Sequence, residues 1–267
     1  MPSIPPKLFK FRTWNPAGKN RTRELLEEGA FYCPSPHELD DPHDTLLGAH
    51  ATGSPLDMDR FVLLDLDGVH PLMDKYNIGA ITELNEKTVT DPQDQKVLRA
   101  MGRRKSRRHT RIVCFSAHFG SELMWAFYAA KHTGICLVFD TDHEFFRRAK
   151  PVVYCHSPTD LGHFALEPGE DDELAFCKSL PWQFQEEWRL VFQGDEPKKM
   201  PFPKEKLTAV ILGYRFLEQH RNDLQDVLMK ANYRVDIWRV DRLPNTYDLG
   251  LMKVEEIGTH IASAPMT

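Results

Sequence analysis

The stretch from Arg111 to Cys155 constrains the fold most, because it holds five consecutive segments whose apolar patterns are typical of alternating strands and helices. Strand patterns fit RIVCFS (111–116), GICLVFD (134–140) and VVYC (152–155), and helix patterns fit ELMWAFYAAK (122–131) and EFFRRA (144–149). We expect this run to form the core of the fold.

Segments on both sides of this run add further strands and short helices. The early segments are the strand KLFKFR (7–12), the glycine-ended helix RTRELLEEG (21–29) and the strand AFYC (30–33). The later segments are the strands EEWRLVF (186–192), AVILG (209–213) and VDIWRV (235–240), with the helix FLEQHRNDLQDVLMKA (216–231). Short gaps of the length found in β-hairpins, mixed with few helices, predict an α+β fold rather than a doubly wound sheet.

The length of the chain fits one large domain. We predict a single α+β domain over residues 1–267, with a mostly helical insertion at about 56–108. Residues 34–58 are rich in Pro, Asp, His and Gly, and long polar loops of this kind are often functional in compact domains.

Composition excludes several classes of protein. The longest apolar stretch, Leu123 to Ala130, has eight residues, far fewer than the roughly 18 needed to cross a bilayer. The proline-containing N-terminus lacks the apolar region of a secretory signal, so we expect a cytoplasmic protein with no membrane partner. A net charge of −5 does not indicate nucleic acid by itself, and five cysteines without a CxxC pair favour neither disulfides nor a zinc ribbon.

One motif resembles a known phosphatase family. FVLLDLDGVHP (61–71) resembles the strand and DxDG turn that open haloacid-dehalogenase-like phosphatases. That resemblance implies Asp65 as the nucleophile and Asp67 as the acid/base. The same stretch also fits an amphipathic segment that ends in an Asp-Gly turn, so a phosphatase is an alternative function.

A second alternative comes from the basic run at 102–111. Its six Lys or Arg residues among the nine positions 103–111 could bind the phosphates of a nucleic acid in a non-catalytic binding module. The run lacks interleaved aromatic residues, so base stacking is not indicated, and it also fits a solvated helix end.

Histidines and aspartates cluster in the polar loop without a recognised ligand spacing, so no metal is predicted. They are His37, Asp40, Asp41, His43, Asp44 and His50.

Several separated blocks of sequence form an ordered series of motifs. In order they are Phe9 to Arg12, Pro34 to Pro36 with Asp40 to Pro42, Cys114 to Ser116, Met124 to Ala129 with His132 and Gly134, Tyr154, and Trp182 with Glu187 to Arg189. This series resembles an uncharacterised bacterial domain family with the signature KYR, SxPxxFNDPFD, CFS, LMWxHYAxxHxGxCxxFD and WxYExEWR, over roughly residues 8 to 215. The chain departs from that signature at Asp40, His43, Phe127 and Gln185.

These blocks place chemically useful groups on shared faces. A strand period of two puts Gln185, Glu187 and Arg189 on one face. Helical spacing aligns Met124 with Tyr128, and an aromatic wall facing the Glu187 strand suits a planar cation such as nicotinamide. The same residues are also consistent with a structural ion pair and with core packing.

The order Arg, Ser and Gln-x-Glu also resembles the R-S-[EQ]xE triad of ADP-ribosyltransferases. This resemblance implies a split β-sheet core with surrounding short helices, and NAD as a substrate, with either transfer of ADP-ribose to a macromolecular acceptor or hydrolysis of the dinucleotide. It also implies a bacterial toxin or a phage-defence effector. The implied roles are a phosphate or ribose clamp for Arg12, substrate positioning for Ser116, nicotinamide stacking for Tyr128 or Trp125, acceptor orientation for Gln185, and the catalytic carboxylate for Glu187.

Overall fold

The computed structural model describes residues 2–16, 18, 20–41, 44, 74–77, 89–92, 94–95, 110–156, 175–192 and 197–257. In this part of the chain the fold is mixed α+β, with one large mixed sheet and few helices, which confirms the predicted class at that level. Most of the predicted helical insertion at 56–108 lies outside the described residues.

The secondary structure consists of twelve strands and four α-helices in the described residues. The strands are β1 (Lys7–Arg12), β2 (Ala30–Tyr32), β3 (Arg111–Ser116), β4 (Ile135–Asp140), β5 (Lys150–Pro151), β6 (Val153–Cys155), β7 (Cys177–Ser179), β8 (Glu187–Phe192), β9 (Lys199–Pro201), β10 (Leu207–Leu212), β11 (Val235–Arg242) and β12 (Leu249–Ile257). The helices are α1 (Arg21–Glu28), α2 (Glu122–Tyr128), α3 (Glu144–Arg147) and α4 (Arg221–Lys230).

The large sheet has eight strands in the order β12-β11-β10-β4-β1-β3-β8-β5. Its neighbouring strands are antiparallel except for the parallel pair β10 and β11. Two small sheets accompany it, the antiparallel pair β2 and β9 and the parallel pair β6 and β7.

The sheet is nearly divided between β1 and β3. β1 pairs with β4 along all six of its residues, and β3 pairs with β8 along all six of its own. In contrast, β1 and β3 share only the residue pair Phe9 and Ser116. The Lys10 ammonium donates to the Cys114 carbonyl oxygen at 2.9 Å across the gap, and the Ile112 amide donates to Pro34 instead of β1. The two parts of the sheet therefore separate around this single pair.

Apolar side chains cover both faces of the sheet. Alternation along β1 sends Leu8 to one core cluster and Phe9 and Phe11 to the other. The first cluster is rich in aromatic rings, such as Phe31 stacked on Phe202 with centroids 4.5 Å apart. The second cluster lies under α2. This packing holds the strands beside the gap in place.

Helix ends agree with the sequence pattern at α1 and differ at α2. Gly29 ends α1 in the left-handed conformation, as predicted. The helix predicted to reach Lys131 ends at Tyr128, because Ala130, Lys131 and His132 all adopt positive φ, between 49° and 71°. No helix in the described ranges combines the length and apolar character needed to cross a membrane.

Candidate functional site

The gap between β1 and β3 opens into a cavity of about 260 Å³. Residues 9–12 of β1 form one wall, and Ile112 with residues 114–116 of β3 forms the other. Five of the six residues that the sequence predicts for the site line this cavity, namely Arg12, Ser116, Tyr128, Gln185 and Glu187. Strand register explains part of this arrangement, because Ser116 pairs with Phe9 on one side and with Glu187 on the other.

Trp125 is the predicted site residue that the structure places elsewhere. Its side chain is fully buried in the core, where its indole N–H donates to the Phe119 carbonyl oxygen at 2.7 Å. Its ring packs edge-on against Phe11 and stacks on His132. Trp125 is not among the described residues that line the cavity, whereas Tyr128 is.

Glu187 lines the cavity and is only 3% exposed. Arg189 donates to both of its carboxylate oxygens, through Nε at 2.7 Å and Nη2 at 3.1 Å, and the Lys178 ammonium donates to Oε2 at 3.1 Å. Burial raises the pKa of Glu187, but the charges of Arg189 and Lys178 outweigh burial and lower the pKa to about 2. Glu187 is therefore ionised at neutral pH.

Asp44 completes a buried cluster of two cations and two carboxylates. The Arg189 guanidinium holds Asp44 with two hydrogen bonds, of 2.8 and 2.6 Å, and Lys178 Nζ lies 3.2 Å from the same carboxylate. The formal charges of this buried cluster cancel. Such clusters contribute little net stability, because desolvation of the ions offsets their attraction, so the cluster is not explained by stability alone.

Gln185 links this cluster to the aromatic wall. Its Oε1 accepts from Lys178 at 2.8 Å, and its Nε2 donates to the Tyr128 hydroxyl at 2.6 Å. The prediction that Gln185 shares a strand face with Glu187 is wrong, because Gln185 ends a 3₁₀ turn and Glu186, at φ 40°, separates that turn from β8. The shared face of Glu187 and Arg189 is confirmed by their hydrogen bonds.

The cavity lining carries an excess of positive charge. Lys10, Arg12 and Arg21 belong to it, and among the described residues no carboxylate lies within ion-pair distance of these three cations. Arg12 Nε is buried and has no hydrogen-bond partner there. Burial, and then the charge of Arg21, lower the pKa of Arg12. Of the cavity carboxylates, Glu38 is bound by Tyr32 and Ser35, and Asp40 is exposed. Cations with no carboxylate partner of this kind suit an anionic ligand.

Three residues of the site were not predicted from the sequence. Lys10 belongs to the alternation of β1, which marks it as polar but does not show that it bridges the gap. Lys178 lies in β7, which has only three residues and no pattern of its own. Asp44 contacts Arg189 across 145 positions of sequence, so no local signal indicates the pair.

The residues of the two alternative functions lie almost entirely outside the described residues. These are Asp65 and Asp67 of the phosphatase motif and positions 103–109 of the basic run, while Arg111 of that run begins β3. His43 and His50 also lie outside them. Within the described ranges no group of three His, Cys, Asp or Glu side chains could hold a metal ion.

Comparisons of the chain with protein-family models, with curated proteins and with solved structures found no match. The function therefore has to be inferred from the cavity itself.

Proposed function

We propose that this protein cleaves the nicotinamide–ribose bond of NAD and transfers ADP-ribose to a macromolecular acceptor, or to water. The observation that carries the proposal is the presence, in one cavity, of an Arg12 guanidinium whose buried Nε has no hydrogen-bond partner among the described residues, and of the ionised carboxylate of Glu187. The first suits the diphosphate of a dinucleotide, and the second suits the positive charge that develops on the ribose when the bond breaks.

The near-division of the sheet between β1 and β3 supports an ADP-ribosyltransferase-like fold. In the proposed arrangement the dinucleotide enters at the gap, with Arg12 from one part of the sheet and Ser116 from the other. Ser116 donates to the His118 carbonyl oxygen at 3.0 Å, which fixes the chain beside the gap. A setting in the bacterial cytoplasm, as a toxin or phage-defence effector, belongs to the same proposal.

The volume of the cavity limits how much of the dinucleotide it can hold. The cavity, at about 260 Å³, is slightly smaller than pockets that enclose a whole drug-sized ligand. We therefore place the nicotinamide and its ribose inside, against Tyr128 and Glu187, with the diphosphate at Lys10, Arg12 and Arg21. The adenosine extends outside, along the rim that Tyr32 and Asp40 form.

The chemistry requires stabilisation of positive charge rather than a strong acid. The C1′–N bond breaks, its electron pair stays with the nicotinamide nitrogen, and C1′ becomes an oxocarbenium ion. The Glu187 carboxylate accepts a hydrogen bond from the ribose 2′-hydroxyl and lowers the energy of this cation. The acceptor oxygen or nitrogen then adds to C1′ and releases its proton to solvent. Arg189 and Lys178 keep Glu187 ionised and fix its orientation.

Release of nicotinamide from NAD by Glu187→Gln tests this proposal, with a cell extract as acceptor source present and absent. Because one electrostatic contact of this kind contributes about 10²- to 10³-fold to a rate, we expect Glu187→Gln to lose that much activity. Dependence on the extract distinguishes transfer from hydrolysis.

Two control variants separate chemistry from folding. Asp44→Asn removes a carboxylate from the same buried cluster but outside the cavity lining, and Glu186→Gln removes an exposed neighbouring carboxylate that pairs with His118. We expect both to retain activity within about fivefold, while Asp44→Asn and Glu187→Gln lose similar amounts of stability. Equal losses of activity in Asp44→Asn and Glu187→Gln, or no release by the wild type, would contradict the proposal.

A further inference from the structure

Three side chains form a hydrogen-bond chain that ends in the cavity. The Lys178 ammonium contacts Oε1 of Gln185, and Nε2 of Gln185 contacts the hydroxyl of Tyr128. Gln185 is only 4% exposed, and Lys178 is 7% exposed. Lys178 is held in turn by the carboxylates of Glu187 and Asp44. The chain is therefore anchored in the buried charge cluster described above.

The direction of the hydrogen bonds in this chain is fixed by chemistry. An ammonium group has three donors and no acceptor, so Gln185 must turn its carbonyl oxygen to Lys178 and its NH₂ to Tyr128. An NH₂ group only donates, so the Tyr128 oxygen uses an acceptor site there, and its own O–H is left to donate elsewhere. Among the described residues, none accepts a hydrogen bond from the Tyr128 hydroxyl.

We infer that the Tyr128 hydroxyl is a fixed hydrogen-bond donor that recognises the carboxamide oxygen of the nicotinamide ring. This inference rests on the proposed function and extends it to the recognition of the leaving group. Tyr128 is half-buried and lines the cavity close to Gln185. Burial raises the pKa of Tyr128, so the hydroxyl keeps its proton at neutral pH. Gln185 and Lys178 act through Tyr128 and are positioning residues.

The Tyr128 hydrogen bond also assists cleavage of the C1′–N bond of NAD. When the C1′–N bond breaks, its electron pair moves onto the nicotinamide nitrogen and the ring becomes neutral. A hydrogen bond to the carboxamide oxygen draws electron density toward that oxygen and stabilises the departing ring. No proton is transferred from Tyr128 in this step.

The test compares the binding of two dinucleotides that the enzyme cannot cleave. In NADH the ring is already neutral, so the electron pair of the C1′–N bond has no positive ring to move into. The reduced 3-acetylpyridine analogue of NADH keeps the carbonyl oxygen but lacks the NH₂ group. Dissociation constants of both are measured for the wild type, Tyr128→Phe, Gln185→Glu and Gln185→Met.

The variants change the hydrogen-bonding role of position 128 in different ways. Tyr128→Phe keeps the ring and removes the donor, so both dinucleotides bind about tenfold more weakly. In Gln185→Glu the new carboxylate accepts a hydrogen bond from the Tyr128 hydroxyl, and the Tyr128 oxygen then presents only an acceptor to the ligand. NADH can still donate its NH₂ to that oxygen, whereas the acetyl analogue cannot.

We expect the wild type to bind the two dinucleotides within about threefold of each other, and Gln185→Glu to bind the analogue at least about tenfold more weakly than NADH. The added negative charge affects both ligands alike and cancels in this ratio. Gln185→Met removes the hydrogen bond to the Tyr128 oxygen but provides no acceptor for the Tyr128 hydroxyl. We therefore expect its ratio of the two dissociation constants to stay near that of the wild type.

An unchanged ratio in Gln185→Glu, unchanged binding by Tyr128→Phe, or failure of the wild type to bind NADH overturns the inference. If NADH binds with the expected pattern but the wild type releases no nicotinamide from NAD, the donor assignment stands and the proposed reaction fails.

Discussion

Lys10 extends the set of cavity residues beyond those that the sequence predicts. Its ammonium lies 5.7 Å from the centre of the Phe31 ring and 5.2 Å from that of Phe115, and it donates to the Cys114 carbonyl oxygen. Burial, and then the charge of Arg12, lower the pKa of Lys10 to about 8. Lys10 is thus a cation at neutral pH and loses its charge in mildly alkaline solution.

This pKa predicts how ligand affinity changes with pH. Below about pH 8 Lys10 is protonated and would attract the diphosphate of the proposed ligand, and above that pH this attraction would be lost. We expect the affinity for ADP-ribose to fall by about tenfold between pH 7 and pH 9.5, measured by isothermal titration calorimetry. Lys10→Met should bind weakly at both pH values, with little change between them. The same fall in Lys10→Met as in the wild type would show that Lys10 does not contact the ligand.

The site residues differ in how far the sequence could predict them. Arg12, Ser116 and Glu187 were predicted from the resemblance to the ADP-ribosyltransferase triad. Strand register places Ser116 beside Phe9 and Glu187, whereas no pattern in the sequence indicates that Arg12 lines the same cavity. The structure places Trp125 in the core and not in the cavity lining, because this helix turn carries Trp125, Phe127 and Tyr128 and spacing does not tell which of them faces the core. Asp44 belongs to a contact between distant segments, which a pattern within one element cannot indicate.

At the scale of elements, the end of α2 fixes the position of the Arg12 end of β1. Three residues in the left-handed conformation turn the chain back, and Gly134 then lies directly against the strand. A Cβ atom on Gly134 would lie 2.3 Å from the Arg12 carbonyl oxygen and 2.9 Å from that of Ala129. Both atoms belong to the backbone, so neither can move aside easily.

Gly134→Ala is therefore expected to destabilise the protein by about 1–3 kcal/mol and to weaken the binding of ADP-ribose, because β1 must shift at Arg12. Urea unfolding and titration calorimetry measure the two effects. Gly120→Ala is the matched control, since its Cβ would meet only the His118 ring, at an ordinary contact distance of 3.8 Å. Equal effects of the two substitutions would contradict this account of the turn.

Most strands and helices were predicted close to their observed bounds. The strands β3 and β4 are examples, because each is a short and mostly buried apolar run, and the helix α1 is another, because Gly29 ends it. β12 was not predicted, because the exposed Met252 directly follows Leu251 and interrupts the alternation of apolar and polar residues. The predicted strand VVYC is interrupted at Val152, whose amide bonds to the Glu187 carbonyl oxygen.

At the scale of the whole molecule, the division of the sheet is the property from which the site arises. The sequence predicts an α+β class but not the strand order, because that order depends on pairings between distant segments, such as β10 beside β4. The described structure joins the two parts of the sheet through one residue pair and the Lys10 contact. A dinucleotide in the gap would contact both parts at once.

The central claim is that one dinucleotide contacts Arg12 with its diphosphate and Glu187 with its ribose. The most direct test is single-turnover cleavage of NAD by Arg12→Gln and Glu187→Gln, with the dissociation constant and the rate at saturating NAD determined separately. We predict that Arg12→Gln weakens binding about 10- to 100-fold and keeps the saturated rate within about threefold. Glu187→Gln should keep the dissociation constant within about threefold and lower the saturated rate about 10²- to 10³-fold. Two results would contradict the claim. One is that the wild type does not cleave NAD, and the other is that both variants keep the dissociation constant and the saturated rate of the wild type.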